Sequence, residues 1–543
     1  MKLNYKKTIC VGFAFFLISM FWQAYDTLVP KILTDKFGMA QTWSGAIMAL
    51  DNLFALFLLP IFGAISDKVN TKRGRRTPFI VIGTLLAVVL LMFVSIPDKQ
   101  QHNAIADISA TEGAAYTEAL GKIWDENPEI ADWKAEAEDR TFFQAVGDVF
   151  KKEKTYPVQD LISREAFTAI SVQVEVEGKL KTNEQYTDIV VPARQAVISE
   201  ITADSPKNLV VFIVLLFFIL VAMGTFRSPA VALMPDVTVK PLRSKANAII
   251  NLMGTAGGII VLALGIVFGT GKVHNAMMPY ATFFIVVGAL MLCALIAFLF
   301  TVNEPKLVRE MKEESVRLGI DEEKEAAEEA ERLAATKGVK LDRPQLISLL
   351  LILASVALWY MGYNAITSKY SVYAGTVLGL DYNTTLIIAQ GAAIVAYIPA
   401  GIVATRLGRR KTILGGVILL FAAFFLASFL RAGSPALLVN VLFILAGIAW
   451  ATINVNSFPM VVELSKSADV GRYTGFYYTA SMSAQIVTPI LSGIFMDSIG
   501  MTSLFPYASI FVALAFVTMF FVRHGDAKPT DKVSVLEQLG ADD

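Results

Sequence analysis

Twelve long apolar runs constrain this chain more than any other feature of its sequence. The first six lie near residues 8–30, 42–66, 78–97, 208–235, 244–269 and 279–302, and the second six near 345–372, 384–405, 412–431, 435–462, 470–497 and 502–522. An apolar run of about 20 residues is long enough to cross the hydrocarbon core of a bilayer as a helix. The sequence therefore predicts an all-α membrane protein with twelve transmembrane helices, called spans 1 to 12 below.

The charged residues are few and unevenly placed. They make up 17% of the 543 residues, against about 25% in an average globular protein, and they concentrate in 98–207, 303–344 and the end of the chain. This pattern excludes a soluble enzyme, a nucleic-acid binder and a disordered scaffold. The first run is too long for the apolar region of a cleaved signal peptide and carries Trp22, Gln23 and Asp26, so we expect it to remain as span 1.

Lysine and arginine in the short loops predict the orientation. One set of alternate loops is rich in these residues, for example at Arg75, Arg76, Arg409 and Arg410, and such loops face the cytoplasm. Both termini and the 303–344 linker are then cytoplasmic, and 98–207 lies outside the cell membrane. That outer segment holds 21 acidic and 12 basic residues, a net charge of −9.

The spans and charged segments divide the chain into six parts. We expect an N-terminal bundle at 1–97 and 208–302, an extracytoplasmic insertion domain at 98–207, a cytoplasmic linker at 303–344, a C-terminal bundle at 345–522 and a cytoplasmic tail at 523–543. Within the insertion, 114–152 is predicted to be helical, with core candidates Trp124, Trp133, Phe142, Phe143 and Phe150, and alternating Val172, Val174 and Val176 indicate a strand. The insertion either captures a ligand or recruits a partner, or it is a lid or decoration that tunes assembly.

The two halves repeat a pattern in their short loops. After span 2 the sequence carries Gly63, Asp67, Gly74, Arg75 and Arg76, and after span 8 it carries Gly401, Gly408, Arg409, Arg410 and Lys411. A second correspondence follows spans 4 and 10, where an acidic residue precedes an arginine (Asp236 and Arg243, Glu463 and Arg472). Duplicated six-span halves are common in transporters, whose substrate site lies near the midplane where the halves meet.

The loop after span 2 resembles the signature loop of the major facilitator superfamily. The copy after span 2 has four extra residues before its second glycine, Gly74. This spacing resembles more narrowly the plant sucrose transporters and the glycoside-pentoside-hexuronide symporters. The following Thr77-Pro78-Phe79-Ile80 and the stretch 232–247 show the same resemblance. The resemblance implies two six-helix bundles that alternate access to a small-molecule sugar, which is carried with protons. One departure is Thr405, which replaces the acidic residue of the second loop copy.

The loop residues are candidates for gating. A carboxylate at a helix end can hold a neighbouring arginine by charge-assisted hydrogen bonds that form in one conformation and break in another. The candidate gating residues are Gly63, Asp67, Gly74, Arg75, Arg76, Asp236, Arg243, Gly408, Arg409 and Arg410. The alternative is that these arginines only set the membrane topology.

Three charges inside predicted spans are candidates for ion coupling. Asp26, Asp51 and Arg227 each cost about 2.5–3.5 kcal/mol to insert, so each is a functional candidate. We expect an aspartate in a partly dry cavity to bind and release protons. Sodium is the alternative, but the related melibiose-type transporters pair two acids one turn apart on span 2, whereas Asp51 stands alone. Two alternatives involve no ion coupling. Asp26 lies at the outer water interface, or Asp51 and Arg227 form a buried pair with a structural role alone.

Polar and aromatic residues in the spans are candidates for substrate binding. Amides and carboxylates suit pairs of sugar hydroxyls, and aromatic faces suit the apolar side of a sugar ring. The candidates are Trp22, Gln23, Tyr25, Asn247, Asn251, Tyr363, Asn364, Gln390, Trp450 and Asn454. Gly362 is a candidate for local unwinding of span 7. The alternative is that asparagine and glutamine only join helices to each other.

The sequence offers little other chemistry. Its three histidines have no metal-ligand spacing and it has no phosphate-binding Walker loop, so we expect a monomeric transporter in the lipid bilayer with no cofactor, metal, nucleic acid or enzymatic activity. Two other functions remain open: a proton-coupled antiporter that exports amphipathic compounds, and a receptor that senses a ligand with its outer domain.

Overall fold

A computed structural model describes residues 3–131, 154–176, 179–318, 342–463 and 470–524. Within these residues, twelve helices are long and apolar enough to cross a membrane, which confirms the predicted spans. Spans 1 to 6 are Tyr5–Lys31, Gln41–Lys68, Thr77–Ala104, Lys207–Val237, Arg243–Phe268 and Ala281–Thr301. Spans 7 to 12 are Arg343–Tyr373, Tyr382–Leu407, Arg409–Ala427, Ala436–Glu463, Val470–Ile499 and Leu504–Phe520.

Spans 1 and 7 show the repeat of the two halves in their backbone. Span 1 continues into a wider π-helical turn at Ile32–Lys36, and span 7 continues into a similar turn at Ala374–Leu378. Such turns are rare and are frequently found at functional sites. Their presence at equivalent ends of the first span of each half supports the repeat predicted from the loops.

Each half has its own hydrophobic core. Spans 1 to 6 share one cluster of buried side chains, and spans 7 to 12 share a second, which includes the fully buried Trp359. The two halves contact each other mainly along three helix pairs: span 1 with span 7, span 2 with span 11, and span 5 with span 8. The fold is therefore two six-helix bundles with a seam between them.

Between spans 3 and 4, the described residues of 105–206 form a small α/β unit, called the insertion below. Its helices are Ala106–Ser109, Gly113–Asp125, Val158–Leu161, Arg164–Thr168 and Val191–Asp204, the last preceded by a wide turn at Tyr186–Val190. Strands β1 (Glu129–Ala131) and β2 (Thr155–Pro157) pair antiparallel, as do β3 (Gln173–Val176) and β4 (Lys179–Thr182). The insertion has its own cluster of buried side chains, which includes Leu120, Phe167 and Ile189 and is joined by Val273 and Met277 from between spans 5 and 6.

The helix predicted for 114–152 ends at Asp125, so the prediction was wrong for 126–131, and 132–152 lie outside the described residues. Asn127 adopts a left-handed conformation with φ of 52°, and Pro128 follows it, so the chain turns and enters β1. Trp124 is partly buried and donates from Nε1 to the carbonyl oxygen of Ile162. The other core candidates, Trp133, Phe142, Phe143 and Phe150, lie outside the described residues, as do most of the linker and the tail beyond His524. The predicted strand is confirmed in β3.

The ends of the bundle are named by what they carry. The insertion lies at one end, called the insertion side, and the loop 69–76 and the linker helix Glu304–Arg317 lie at the other, called the linker side. On the insertion side, Lys36 and Asp98 form an ion pair that is completely buried. The Lys36 ammonium also donates to the carbonyl oxygen of Met278 at 3.1 Å, and Asp98 accepts from the backbone nitrogen of Tyr280 at 2.9 Å. This pair joins spans 1, 3 and 6.

We expect Asp98→Asn to lower stability by about 3–5 kcal/mol, because it leaves the buried Lys36 charge without its partner. Thermal unfolding of the purified protein measures the effect. The matched control is Asp125→Asn, which breaks an exposed pair with Arg164 and should cost less than about 1 kcal/mol. The double variant Lys36→Met, Asp98→Leu should recover most of the loss, and equal losses for Asp98→Asn and the control would contradict this account.

Candidate functional site

A carboxylate of the second half closes the insertion side of the seam. Asp497, near the end of span 11, accepts hydrogen bonds from the backbone nitrogens of Gln41 and Thr42 at 2.8 and 2.7 Å and from the Thr42 hydroxyl at 2.6 Å. Span 2 begins after Ala40, which offers no side-chain cap of its own. Asp497 therefore supplies the missing N-cap from the opposite half, where a negative charge also suits the helix dipole.

A buried lysine reinforces this closure. Lys369 of span 7 is fully buried, and its ammonium donates to the carbonyl oxygen of Gln41 at 2.6 Å. Lys369 also interacts electrostatically with Asp497. Gln41, Thr42, Lys369 and Asp497 are together called the insertion-side lock. Both charges belong to the second half and both hold the first turn of span 2.

Backbone packing at the same end is equally close. A Cβ added at Gly45 of span 2 would overlap the carbonyl of Pro489 in span 11, and one added at Gly493 would overlap the carbonyl of Gln41. On the other flank of the seam, the hydroxyls of Thr270 and Tyr382 lie 2.9 Å apart and join the end of span 5 to span 8. The insertion side is therefore shut by packing as well as by charge.

The linker side carries a charge cluster within the first half. Asp236 at the end of span 4 accepts from Arg75 Nη2 at 2.7 Å and from Arg76 Nε at 2.8 Å, and Arg76 also contacts Asp67 at the end of span 2. Burial opposes the charge of Arg76, but its hydrogen bonds to Asp236 and Asp67 outweigh burial and raise its pKa. Four of the predicted gating residues thus meet in one cluster.

Glu304, the first residue of the linker helix, completes this cluster and was missed by the sequence analysis. It is 1% exposed and accepts from the backbone nitrogens of Arg75 and Thr77 at 2.7 and 2.8 Å and from the Thr77 hydroxyl at 2.7 Å. Glu304 thereby caps span 3. Gly74 has φ of +105°, and a Cβ there would overlap the Glu304 carboxylate, which explains the glycine of the signature loop.

The other predicted gating residues lie outside this cluster. Arg243 donates from Nε to the carbonyl oxygen of Thr238 at 3.1 Å, and Arg410 contacts the carbonyl oxygen of Phe520 at the end of span 12. Gly63 lets span 2 approach Ser228 of span 4, and Gly408, with φ of +89°, connects span 8 to span 9, which begins at Arg409. The side chain of Thr405 lies outside the described residues.

The three predicted intramembrane charges come together in the first half. Asp26 interacts electrostatically with Asp51 and with Arg227, and Asp51 interacts with Arg227 as well. The Arg227 guanidinium lies 5.5 Å from the ring centre of Trp22, within cation–π range. The amide of Asn52 donates to Asp51 at 2.7 Å. Spans 1, 2 and 4 therefore share one charge cluster.

A hydrogen bond joins the two halves beside this cluster. Gln390 of span 8 donates from Nε2 to Gln23 Oε1 of span 1 at 2.8 Å. Gly258 of span 5 leaves room for both amides, since a Cβ there would lie 3.3 Å from Gln23 Oε1 and 3.7 Å from Gln390 Oε1. Within the described part of the chain, the buried Trp22 Nε1 and the Tyr25 hydroxyl have no hydrogen-bond partner. Unsatisfied polar groups of this kind suit a ligand.

The second half contributes an aromatic platform. The rings of Tyr363 and Trp450 stack with centres 3.6 Å apart and planes 4° apart, and Tyr360 meets Trp450 edge to face at 5.2 Å. The Tyr360 hydroxyl donates to Asn454 at 3.4 Å. The buried Asn364 Nδ2 has no partner among the described residues. Spans 7 and 10 thus bring three of the predicted binding residues together: Tyr363, Trp450 and Asn454.

The structure separates two predicted binding residues from this group. Span 5 meets Gln23 at Gly258, and with a helical rise of 1.5 Å per residue Asn251 lies about 10 Å and Asn247 about 16 Å further towards the linker side. The proposed unwinding at Gly362 was also wrong. Span 7 is helical through this residue. The glycine instead lets Val512 and the carbonyl of Ala508 in span 12 approach closely.

The insertion-side lock was missed although the sequence contained a signal for it. Lys369 falls within predicted span 7, and Asp497 is the last residue of predicted span 11. The cost of a charge in the membrane singles out both residues by the argument that selected Asp51 and Arg227.

Family models match most of the chain. The model of the Major Facilitator Superfamily matches residues 196–398 and 382–539, and the model described as MFS/sugar transport protein matches residues 10–106. The MFS-type transporter ppzB of Metarhizium majus (strain ARSEF 297) is 29% identical over 124 residues, and that of Metarhizium rileyi (strain RCEF 4871) is 25% identical over 124 residues. These matches span 23% of this chain and about a quarter of each relative.

Solved structures of transporters share the fold over almost the whole chain. The inward open conformation of the xylose transporter XylE from E. coli has a TM-score of 0.52 at 14% identity and covers 98% of both chains. The peptide transporter POT in complex with sulfate has a TM-score of 0.54 at 11% identity and covers 95% of this chain and 93% of the other. At these identities the likeness shows a common fold.

Asp497→Ala should open the insertion side, because span 2 loses three hydrogen bonds to a carboxylate. A cysteine at Ser44, which is fully buried one turn further along span 2, reports the opening by its rate of alkylation after Cys10 and Cys293 are replaced by alanine. Since a hydrogen bond to a charged group contributes about 1.5–3 kcal/mol, we expect the rate to rise at least about tenfold. Asp125→Ala is the control, and an unchanged rate for Asp497→Ala would refute the lock.

Gly74→Ala should destabilise the linker-side cluster. The left-handed backbone at this position costs an alanine about 1–2 kcal/mol, and the added methyl displaces Glu304 from the end of span 3. We expect a lower midpoint of thermal unfolding and less folded protein. Gly415→Ala, in span 9, is the matched control, because a Cβ there meets no atom within 4 Å. Equal stability of the two variants would show that Glu304 does not need the glycine.

Proposed function

The chain belongs to the major facilitator superfamily, and on this premise we propose that it is a membrane transporter that carries a disaccharide or another glycoside together with protons. The observation that carries the proposal is the Gln23–Gln390 bridge between the halves, flanked by the charge cluster of the first half and the aromatic platform of the second. Substrate sites of duplicated transporters lie at this place, near the midplane between the repeats.

The chemistry of the site suits a sugar. The amides of Gln23, Gln390 and Asn364 offer both donors and acceptors to vicinal hydroxyl groups. The stacked rings of Tyr363 and Trp450 offer a flat apolar surface to one face of a sugar ring. A hydroxyl pair that replaces the Gln23–Gln390 bond would be held by both halves at once, so its binding couples to their relative movement.

The charge cluster suits proton coupling. Protonation of Asp26 or Asp51 removes a negative charge that faces Arg227, and this changes the balance of charges between spans 1, 2 and 4. Asp51 has no second acid one helical turn further along span 2, where Phe54 and Ala55 lie. This favours protons over sodium as the coupling ion. In this account the aspartates are the proton sites and Arg227 is their counter-charge.

The gates suit alternating access. The insertion-side lock joins the two halves, whereas the linker-side charge cluster holds together residues of the first half alone. With the insertion outside the cell, as the lysine and arginine pattern predicts, this arrangement corresponds to a transporter closed to the outside. Rocking of the halves would break the lock and bring the linker-side residues to the seam. We propose that the transporter lies in the plasma membrane and that it belongs to the sucrose and glycoside branch of the superfamily.

Uptake into membrane vesicles tests the proposal. Labelled sugars, from monosaccharides to plant and bacterial glycosides, are offered with a proton gradient and a sodium gradient imposed separately, and cationic dyes are offered in parallel. We expect accumulation of at least one glycoside that depends on the proton gradient. Gradient-driven dye export without sugar uptake would favour an exporter of amphipathic compounds, and transport of neither would favour a receptor.

Asp51→Asn should abolish gradient-driven accumulation of the glycoside but spare exchange of labelled for unlabelled sugar. The amide keeps the size of the side chain and its contact with Asn52 but cannot bind and release a proton. Asp125→Asn, in the insertion, is the control and should behave as the unmodified protein. Undiminished pH-driven accumulation by Asp51→Asn would remove Asp51 from the coupling site.

A further inference from the structure

The insertion is anchored to the first half by its last helix. Gln195 donates to Asp35 in the wide turn of span 1 at 3.3 Å, and Gln101 of span 3 donates to the Thr202 hydroxyl at 3.1 Å. Gly38, between spans 1 and 2, has φ of +62°, and a Cβ there would overlap the backbone nitrogen of Ser199. These contacts fix the insertion on the half from which it emerges.

The insertion also reaches across the seam to the second half. The Thr182 hydroxyl, at the end of β4, donates to the carbonyl oxygen of Gly379 at 2.7 Å. Gly379 directly follows the wide turn of span 7, and a Cβ there would lie 2.7 Å from the Thr182 Cβ. Beyond β4, the wide turn Tyr186–Val190 packs against Ala374–Leu378. Glu184 approaches Gly433, between spans 9 and 10.

The two sets of contacts differ in kind. The insertion is joined covalently to spans 3 and 4, both in the first half, so it stays with that half when the halves move. Its contacts with Gly379 and Ala374–Leu378 are non-covalent and can break. Gly379 follows the same span that carries Lys369, so these contacts act on the helix that holds the insertion-side lock.

We propose that the insertion is a strap that holds the insertion side closed, by joining the first half to the end of span 7 through Thr182 and the two wide turns. The strap releases span 7 when the transporter opens towards the insertion side and closes again on return. The inference rests on the alternating access proposed above, and it assigns the insertion a conformational role, not the capture of a ligand.

The contacts suit a reversible strap. One hydrogen bond between uncharged groups contributes about 0.5–1.5 kcal/mol net, whereas hydrogen bonds to a charged group, as in the Asp497 cap, contribute more. The strap therefore biases the equilibrium towards the closed insertion side without preventing opening. Its loss should increase the population of the open state severalfold and leave the fold intact.

Thr182→Val tests the strap with the same cysteine reporter at Ser44, on the background without Cys10 and Cys293. The valine keeps the shape of threonine but cannot donate to Gly379. For the full-length protein in lipid nanodiscs, we expect the alkylation rate of the reporter to rise about two- to tenfold, the range that such a hydrogen bond implies. The matched control is Thr168→Val, whose hydroxyl bonds only to the backbone of its own helix, and it should change nothing.

A disulfide tests the strap in the opposite direction. Thr182→Cys with Gly379→Cys, added to the reporter variant, places two thiols across the seam. Oxidation of this pair should slow alkylation of the reporter below the rate of the reduced protein, as followed by peptide mass spectrometry. An unchanged reporter rate after oxidation overturns the strap. So does an unchanged rate in Thr182→Val.

A parallel Asp497→Ala variant separates this inference from the proposed function. If that variant exposes the reporter but the strap variants do not, the halves separate and the insertion has no part in holding them. If the reporter stays protected in every variant, including Asp497→Ala, the insertion side does not open and both the strap and alternating access are wrong.

Discussion

The cap that Asp497 places on span 2 is the interaction on which the arrangement of the two halves depends. The first turn of a helix exposes backbone nitrogens that need partners, and Ala40 cannot supply one. The partner comes from the other half, so the start of span 2 is satisfied only while the insertion side is closed. Opening this side leaves those nitrogens to water or to another residue, and Lys369 loses the carbonyl of Gln41 at the same time.

A carboxylate also caps the start of a helix on the linker side, but there both belong to the first half and its linker. Glu304 caps span 3 from the start of the linker helix, and Asp236 binds Arg75 and Arg76 beside it. The loop after span 2, the end of span 4 and the linker helix are therefore held together on the first half. The lock between halves and the cluster within one half together favour the state in which the insertion side is closed, and the insertion strengthens this bias through its contact with span 7.

Several residues of the candidate site could be singled out from the sequence because the cost of burying charge is local. Asp26, Asp51 and Arg227 were each identifiable as charges in apolar runs, and the structure brings them together. Trp450 and Tyr363 were identifiable as aromatics within spans, but their stacking was not. Asn247 and Asn251 share a helical face, yet their depth in the bundle depends on how span 5 meets span 1, which periodicity does not specify. Asp497 and Lys369 carried the same signal as Asp51 and were overlooked.

The sequence by itself determined the twelve spans, the division into halves and the loop signature, because the length of an apolar run and the position of a charge each have a cost in the bilayer that no neighbour removes. It did not determine which residues meet. The cap from Asp497, the cap from Glu304 and the reach of Thr182 to Gly379 each join segments far apart in the chain. Only tertiary packing decided them, since the free backbone nitrogens at the start of a helix donate to any acceptor that the fold brings within reach.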